Sequence, residues 1–164
     1  PDRVDKLILI STSPGEDQQV QASAAIGDKI QNNLDGDWEN FYVPLLFYSD
    51  KAEKEYISRL QKAREQEEIP EVARESVDTK LAYERAFGFI EEETERTALL
   101  SKIKAPTLII SGEQDTLLVP ENAKRVAKRI PNAKLILVPQ AGHAVLFEKV
   151  DEVSKEIQTF LEEK

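Results

Sequence analysis

Three short apolar runs are spaced along the chain, and each predicts a buried strand. They are DKLILIS at 5–11, TLIIS at 107–111 and KLILV at 134–138, each closed by glycine or proline. The runs are almost continuously apolar and do not alternate with polar residues. Strands of this kind are usually buried on both faces, so the runs indicate a parallel sheet.

Amphipathic segments follow the second and third runs and predict helices. Residues 121–130 come after Pro120, which favours a first helical turn, and they carry apolar side chains at helical spacing. Residues 149–163 predict the last helix. The side chains expected on the inner face of that helix are Val150, Val153, Ile157, Phe160 and Leu161. The order strand, helix, strand, helix predicts right-handed crossovers in an α/β sheet.

About 95 residues (12–106) separate the first two runs, although a crossover between parallel strands needs only about a dozen. The excess predicts an insertion, and its apolar spacing indicates helices. Asp50 with Glu53 resembles a capping box that would open one helix, and Pro70 would open another. We therefore divide the chain into a core strand and turn at 1–15, a helical insertion at 16–102 and a C-terminal α/β core at 103–164.

Aromatic residues concentrate in the insertion, where nine of the chain's eleven fall within residues 38–89. Most of them are expected to form the insertion's own core. The alternative is that some face the sheet and line an apolar pocket for a small-molecule substrate. The candidates for such a pocket are Trp38, Phe41, Tyr42, Phe47 and Phe87.

Composition excludes several classes of site. The chain has no cysteine, so it has no disulfide, no zinc–thiolate site and no cysteine nucleophile. It has one histidine, so no mechanism can use two imidazoles from these 164 residues. Neither a glycine-rich phosphate loop nor a cluster with metal-ligand spacing occurs in the sequence, and we expect no cofactor and no metal.

Charge and hydropathy bear on partners and location. With 22 basic and 31 acidic residues the formal net charge is −9, so we expect neither nucleic acid nor a membrane as partner. No apolar run approaches the roughly 18 residues of a membrane-spanning helix, and no signal peptide is visible. We expect a cytoplasmic protein. Because the chain lacks methionine and opens with Pro-Asp-Arg-Val, we also expect that its start is missing, and a signal peptide would have been lost with that start.

Two residues whose side chains can take part in catalysis follow the second and third predicted strands. Asp115 lies in Ser-Gly-Glu-Gln-Asp after TLIIS, and His143 lies in Pro-Gln-Ala-Gly-His after KLILV. Ligands of an open α/β sheet bind beyond the carboxyl ends of its strands, and neighbouring strands would bring these side chains within hydrogen-bonding range there. A carboxylate can hold an imidazole in one tautomer, and that imidazole can act as a general base near neutral pH. Taken singly, each is equally well an ordinary loop or surface residue.

The segment from Ile103 to Leu161 closely resembles the C-terminal part of α/β-hydrolase-fold enzymes. It shows the family's succession of Pro-Thr strand, Gly-x-x-Asp, helix, second strand, Gly-His and a final helix ending in Phe-Leu. The opening PDRVDKLILISTSPG looks like the family's sixth strand, and 16–102 matches its helical cap in position. The resemblance implies the C-terminal portion of a doubly wound parallel α/β sheet with an inserted cap. It also implies Asp115 as the triad acid and His143 as the triad base.

The third triad member of this family sits in Gly-x-Ser-x-Gly at a tight turn, and no such pattern occurs in these 164 residues. The resemblance implies that the nucleophile, serine or aspartate, lies upstream of Pro1. The chain would then be the C-terminal half of a hydrolase that acts on a small ester, amide or related bond. Alone it would be inactive, and its first strand would present an unpaired edge, so it needs the missing half or self-associates. Two alternatives stay open: a non-catalytic small-molecule-binding relative, and a split fragment.

Overall fold

The computed structural model of the protein describes residues 3–15, 19–32, 41–66 and 96–163. Within these ranges the three apolar runs form strands β1 (Leu7–Ile10), β2 (Thr107–Gly112) and β3 (Ala133–Val138). The strands make one parallel sheet in the order β1-β2-β3, with Leu7 opposite Thr107 and Thr107 opposite Ala133. The predicted parallel α/β sheet is confirmed.

Burial separates the central strand from its two neighbours. All six residues of β2 are buried, whereas the four residues of β1 are half-buried. In β3 only Val138 is buried, and Lys134 is exposed. The expectation of burial on both faces therefore holds for β2 and is too strong for β1 and β3. The reason is position in the sheet, because β2 has a strand on each side and helices over both faces.

The described residues also form α-helices between and after the strands. They are α1 (Ala24–Gln31), α2 (Val43–Leu46), α3 (Asp50–Glu65), α4 (Arg96–Leu99), α5 (Pro120–Arg129), α6 (Val145–Glu148) and α7 (Val150–Glu162). A short 3-10 turn at Leu100–Lys102 follows α4 directly. Every one of these helices is too short or too polar to span a lipid bilayer.

The core has two layers because side chains of β2 alternate between its faces. Leu108 and Ile110 belong to a buried cluster with residues of α6 and α7, among them Val145 and Phe160. Ile109 belongs to a second cluster with the inner face of α5. Helices therefore cover both faces of the sheet, which holds the ends of β2 and β3 in place for the site described below.

The predicted inner face of the last helix needs a correction. Val153 and Phe160 are buried, but Val150 is 55% exposed and Leu161 is 54% exposed. At about 100° per residue, both lie roughly 60–100° around the helix from the line through Val153 and Phe160. The sheet covers only the stripe centred on that line, so apolar spacing alone assigned a face that was too wide.

The start of α3 also differs from the prediction. Ser49, not Asp50, is the N-cap, and its hydroxyl accepts a hydrogen bond from the backbone N–H of Ala52 at 3.4 Å. Asp50 is instead the first residue of the helix, where its negative charge still suits the helix dipole. The helix predicted from Pro70 lies outside the described residues, and the division at 1–15, 16–102 and 103–164 stays a prediction.

Candidate active site

Two loops meet beyond the carboxyl ends of β2 and β3. β2 ends at Gly112 and β3 ends at Val138, so Asp115 and His143 both follow closely. Because the two strands are parallel neighbours, their carboxyl ends share one edge of the sheet. There the Nδ1 atom of His143 lies 2.8 Å from Oδ2 of Asp115, which is the distance of a strong hydrogen bond.

The carboxylate of Asp115 is buried and held from its own loop. The side chain has no exposed surface, and Oδ1 accepts hydrogen bonds from the backbone N–H groups of Leu117 and Leu118, each at 2.9 Å. These two bonds occupy one oxygen and orient the other toward the imidazole. An ionised carboxylate has acceptors only, so in its contact with Oδ2 the Nδ1 atom of His143 is the donor and carries the proton.

The imidazole of His143 is left with one nitrogen for chemistry. Its side chain is 28% exposed. With the proton on Nδ1, the Nε2 atom carries a lone pair, and among the described residues it has no hydrogen-bond partner. The arrangement can therefore accept a proton at Nε2 and stabilise the resulting imidazolium through Asp115.

Ser11, at the end of β1, completes the support of the histidine backbone. Its hydroxyl donates a hydrogen bond to the carbonyl oxygen of His143 at 2.8 Å, and its backbone adopts a φ of 46°. Sequence reasoning missed this residue. The rule that strand ends share one edge could have indicated it, because Ser11 is the last residue of the first apolar run.

A second set of contacts fixes the histidine loop, which we define as residues 139–144. Gln114 donates its backbone N–H to the Ala141 carbonyl at 3.0 Å, and its side-chain oxygen accepts from the Ala141 N–H at 3.2 Å. Gly112 permits this approach, because a Cβ atom there would lie 2.3 Å from the carbonyl oxygens of Ala141 and Gly142. No sequence signal pointed to Gln114, whose partner is 27 residues away.

The ring contacts of the described aromatic candidates are with one another or with other aromatic side chains. Phe47 packs in a ring cluster between α3 and α6, with centroids 5.4 Å from Tyr56 and 5.7 Å from Phe147. Phe41 and Tyr42 contact each other edge to face at 4.8 Å. Trp38 and Phe87 lie outside the described residues. A role in substrate binding stays a prediction for all five candidates.

Two cavities accompany the site. One, of about 330 Å³, lies against Asp115 and is lined by Gln114, Thr116 and Val119 among others. The other, of about 390 Å³, lies between α3 and α6 and reaches neither Asp115 nor His143. None of the described aromatic candidates lines either cavity. Across the described ranges, no three His, Asp or Glu side chains gather into a set that could hold a metal ion.

Comparison with known proteins relates the whole arrangement to one family. The sequence pattern of the alpha/beta hydrolase fold matches residues 1–150. Lipase 3 of Moraxella sp. is 26% identical over 162 residues, which are 98% of this chain and 49% of the lipase. Proline iminopeptidase PfmaB of Pestalotiopsis fici is 46% identical over 63 residues, or 38% of this chain and 22% of that protein. The chain thus spans about half or less of the length of these curated relatives.

A solved structure agrees in fold. An esterase from Exiguobacterium antarcticum superposes with a TM-score of 0.67 at 17% identity, covering 98% of this chain and 58% of the esterase. At this identity the likeness concerns the fold alone.

Proposed function

The chain belongs to the alpha/beta hydrolase fold family, and we propose that it carries the acid and the base of a nucleophile–His–Asp triad in a hydrolase. Asp115 is the acid and His143 is the base. The nucleophile lies outside these 164 residues, on a segment that precedes Pro1. The bond cleaved is a small ester, amide or related bond.

One observation carries this proposal: the 2.8 Å contact between Nδ1 of His143 and a carboxylate that is itself buried and held by two amides. In that arrangement Nε2 takes the proton of the nucleophile as it attacks the scissile carbonyl. Asp115 stabilises the imidazolium, which then gives the proton to the leaving group. In the second half of the reaction Nε2 accepts a proton from water as the water oxygen attacks the acyl carbon. The imidazolium then returns that proton to the nucleophile as the bond between the nucleophile and the acyl group breaks, which releases the acid and regenerates the nucleophile.

The position of the nucleophile follows from the family pattern, in which it precedes acid and base along the chain. No Gly-x-Ser-x-Gly pattern occurs among these residues. We place a serine nucleophile first, because the relative that covers 98% of this chain is named a lipase. An aspartate at the same turn would instead direct the chemistry to haloalkanes or epoxides.

A carboxylic ester is the substrate class that we place first. The relative that covers 98% of this chain is named a lipase. The peptidase name belongs to a relative that matches only 38% of the chain. We further propose that residues 16–102 form a cap whose aromatic side chains select an apolar acyl or alkyl group.

The test begins with the source DNA upstream of Pro1, followed by expression of the whole reading frame and assay with p-nitrophenyl acetate and butyrate. We expect His143→Ala to lower kcat by about 10⁴–10⁶-fold and Asp115→Asn by up to about 10⁴-fold. Glu152→Gln, an exposed change on α7, serves as the control and should leave the rate unchanged.

Two results would overturn the proposal. Ester hydrolysis that persists in the His143→Ala variant would show that His143 is not the base. A reading frame that begins at Pro1 would leave the protein without the proposed nucleophile and would point to a partner chain or to a non-catalytic binding protein. The isolated chain offers a further check, because any hydrolysis by it should be the same with and without His143.

A further inference from the structure

Glu148, the last residue of α6, joins two parts of the molecule through its carboxylate. Oε2 accepts the backbone N–H of Gly142 at 2.6 Å. Oε1 accepts the backbone N–H groups of Tyr48 and Ser49 at 3.0 and 2.9 Å. One half-buried side chain therefore satisfies three amides from two segments that are nearly 100 residues apart.

The two segments also touch directly. The N–H of Ala144 donates to the carbonyl of Leu46 at 2.8 Å. A Cβ atom at Gly142 would lie 2.7 Å from that same carbonyl oxygen and 2.9 Å from the Tyr48 nitrogen. The backbone at 46–49, which leads into α3, therefore packs directly against the histidine loop.

We propose that Glu148 is a positioning residue that couples the start of α3 to the imidazole of His143. Gly142 immediately precedes His143, so its anchor sets where the imidazole is presented to Asp115. Tyr48 and Ser49 immediately precede α3, so the same carboxylate sets where that helix begins. A displacement of α3 is then transmitted to His143 through this side chain as well as through the direct backbone contact of Ala144 with Leu46. The catalytic meaning of this coupling rests on the proposed role of His143 as a base.

Only a carboxylate fits these contacts. Its two oxygens are acceptors only, and all three neighbours are donors. Glutamine at 148 would turn an amide NH₂ toward either Gly142 or the pair at 48 and 49, so at least one segment would lose its partner. Hydrogen bonds to a charged acceptor are also stronger than those to a neutral one.

The test uses the ¹⁵N-labelled chain, in which His143 is the single histidine and its imidazole signals need no further assignment. In Glu148→Gln we expect amide exchange at Gly142 or at Tyr48 and Ser49 to rise about tenfold or more. We also expect the proton and nitrogen signals of Nδ1 in His143 to shift. Glu152→Gln removes the same charge four residues later, on an exposed position, and should change neither readout.

A purely structural role for Glu148 would lower stability without moving the imidazole signals, and that outcome overturns the proposal. If Glu148→Gln does not fold, the wild-type chain still tests the coupling. Its amides at Gly142, Tyr48 and Ser49 should then open together, and opening rates that differ by more than about tenfold would contradict a shared anchor. Neither readout needs a substrate. Shifted imidazole signals together with an active His143→Ala enzyme would leave the coupling intact and remove only the catalytic role.

Discussion

Replacing Gly112 by alanine should push apart the two loops that hold the site. Gly112 ends β2 beneath the histidine loop, and a Cβ atom there would lie 2.3 Å from the carbonyl oxygens of Ala141 and Gly142. Real Cβ atoms essentially never approach closer than 3.0 Å, so both oxygens would have to retreat by at least 0.7 Å. Backbone atoms cannot rotate away as the end of a flexible side chain can.

The loop has little freedom to make that movement. Gln114 holds Ala141 at 3.0 Å through its backbone and at 3.2 Å through its side chain, and Glu148 holds Gly142 at 2.6 Å. A 0.7 Å movement away from Asp115 would lengthen the 2.8 Å contact with His143 to about 3.5 Å, beyond a good hydrogen bond. Overpacking costs about 1–3 kcal/mol, and each weakened hydrogen bond adds about 1 kcal/mol. Alanine in a strand recovers about 0.5–1 kcal/mol relative to glycine.

We therefore expect Gly112→Ala to lower the free energy of unfolding by about 2–3 kcal/mol, measured by urea denaturation. The Nδ1 proton signal of His143 should move or broaden in the same variant. Gly27→Ala is the matched control, because a Cβ atom at this position in α1 meets nothing within 4 Å. It should raise stability by about 0.4–1 kcal/mol. A Gly112→Ala chain as stable as the wild type, with an unchanged imidazole signal, would refute the steric reasoning.

Further predictions concern the scaffold around the site. Asn122 is fully buried and holds both backbone groups of Val20, at 2.7 and 2.9 Å, so Asn122→Ala should cost about 2–3 kcal/mol in urea denaturation. Lys6 donates to three carbonyls at the end of α7, so Lys6→Met should lower stability by about 1 kcal/mol, visible as a lower melting temperature. A hydrogen bond from Lys124 lowers the pKa of Glu121 below its usual 4.5; its stabilising effect is present above that pH and is lost as the pH falls through the lowered pKa. Because the pair is exposed, Glu121→Gln should change stability at pH 7 by less than about 0.5 kcal/mol in denaturant titrations, and not at all once the wild-type carboxyl is protonated. Finally, β1 pairs with β2 on one side only among the described strands, so the isolated chain should self-associate with rising concentration in sedimentation experiments; a monomer at every concentration would contradict this.

Local patterns were sufficient where the physical cause is local. Continuous apolar runs predicted the strands, because a strand covered on both faces needs no polar alternation. The loops after two such strands were enough to predict that Asp115 and His143 would approach each other. That inference needed only the rule that parallel neighbours end at one edge, and the observed 2.8 Å contact follows it.

Patterns were insufficient where burial depends on what packs against a surface. Val150 and Leu161 have the right residue type and nearly the right spacing for the inner face of α7, yet both are exposed. Ser49 rather than Asp50 caps α3. The choice between adjacent capping residues depends on which side chain the backbone turn brings to a free amide of the first helical turn, here the N–H of Ala52. The first difference reflects the width of the stripe that the sheet covers on α7, and the second is a shift of one residue.

The sequence by itself therefore determined the α/β class and the approach of Asp115 and His143 to each other at one edge of the sheet. Tertiary structure alone decided how that pair is held. Ser11 reaches the His143 carbonyl across 132 residues, and the carboxylate of Glu148 reaches Ser49 across 99. Hydrogen bonds between a side chain and a distant backbone leave no periodic trace in a sequence, because the two partners have no fixed spacing along the chain. Only the folded backbone brings the unpaired amide within reach and so selects the partner.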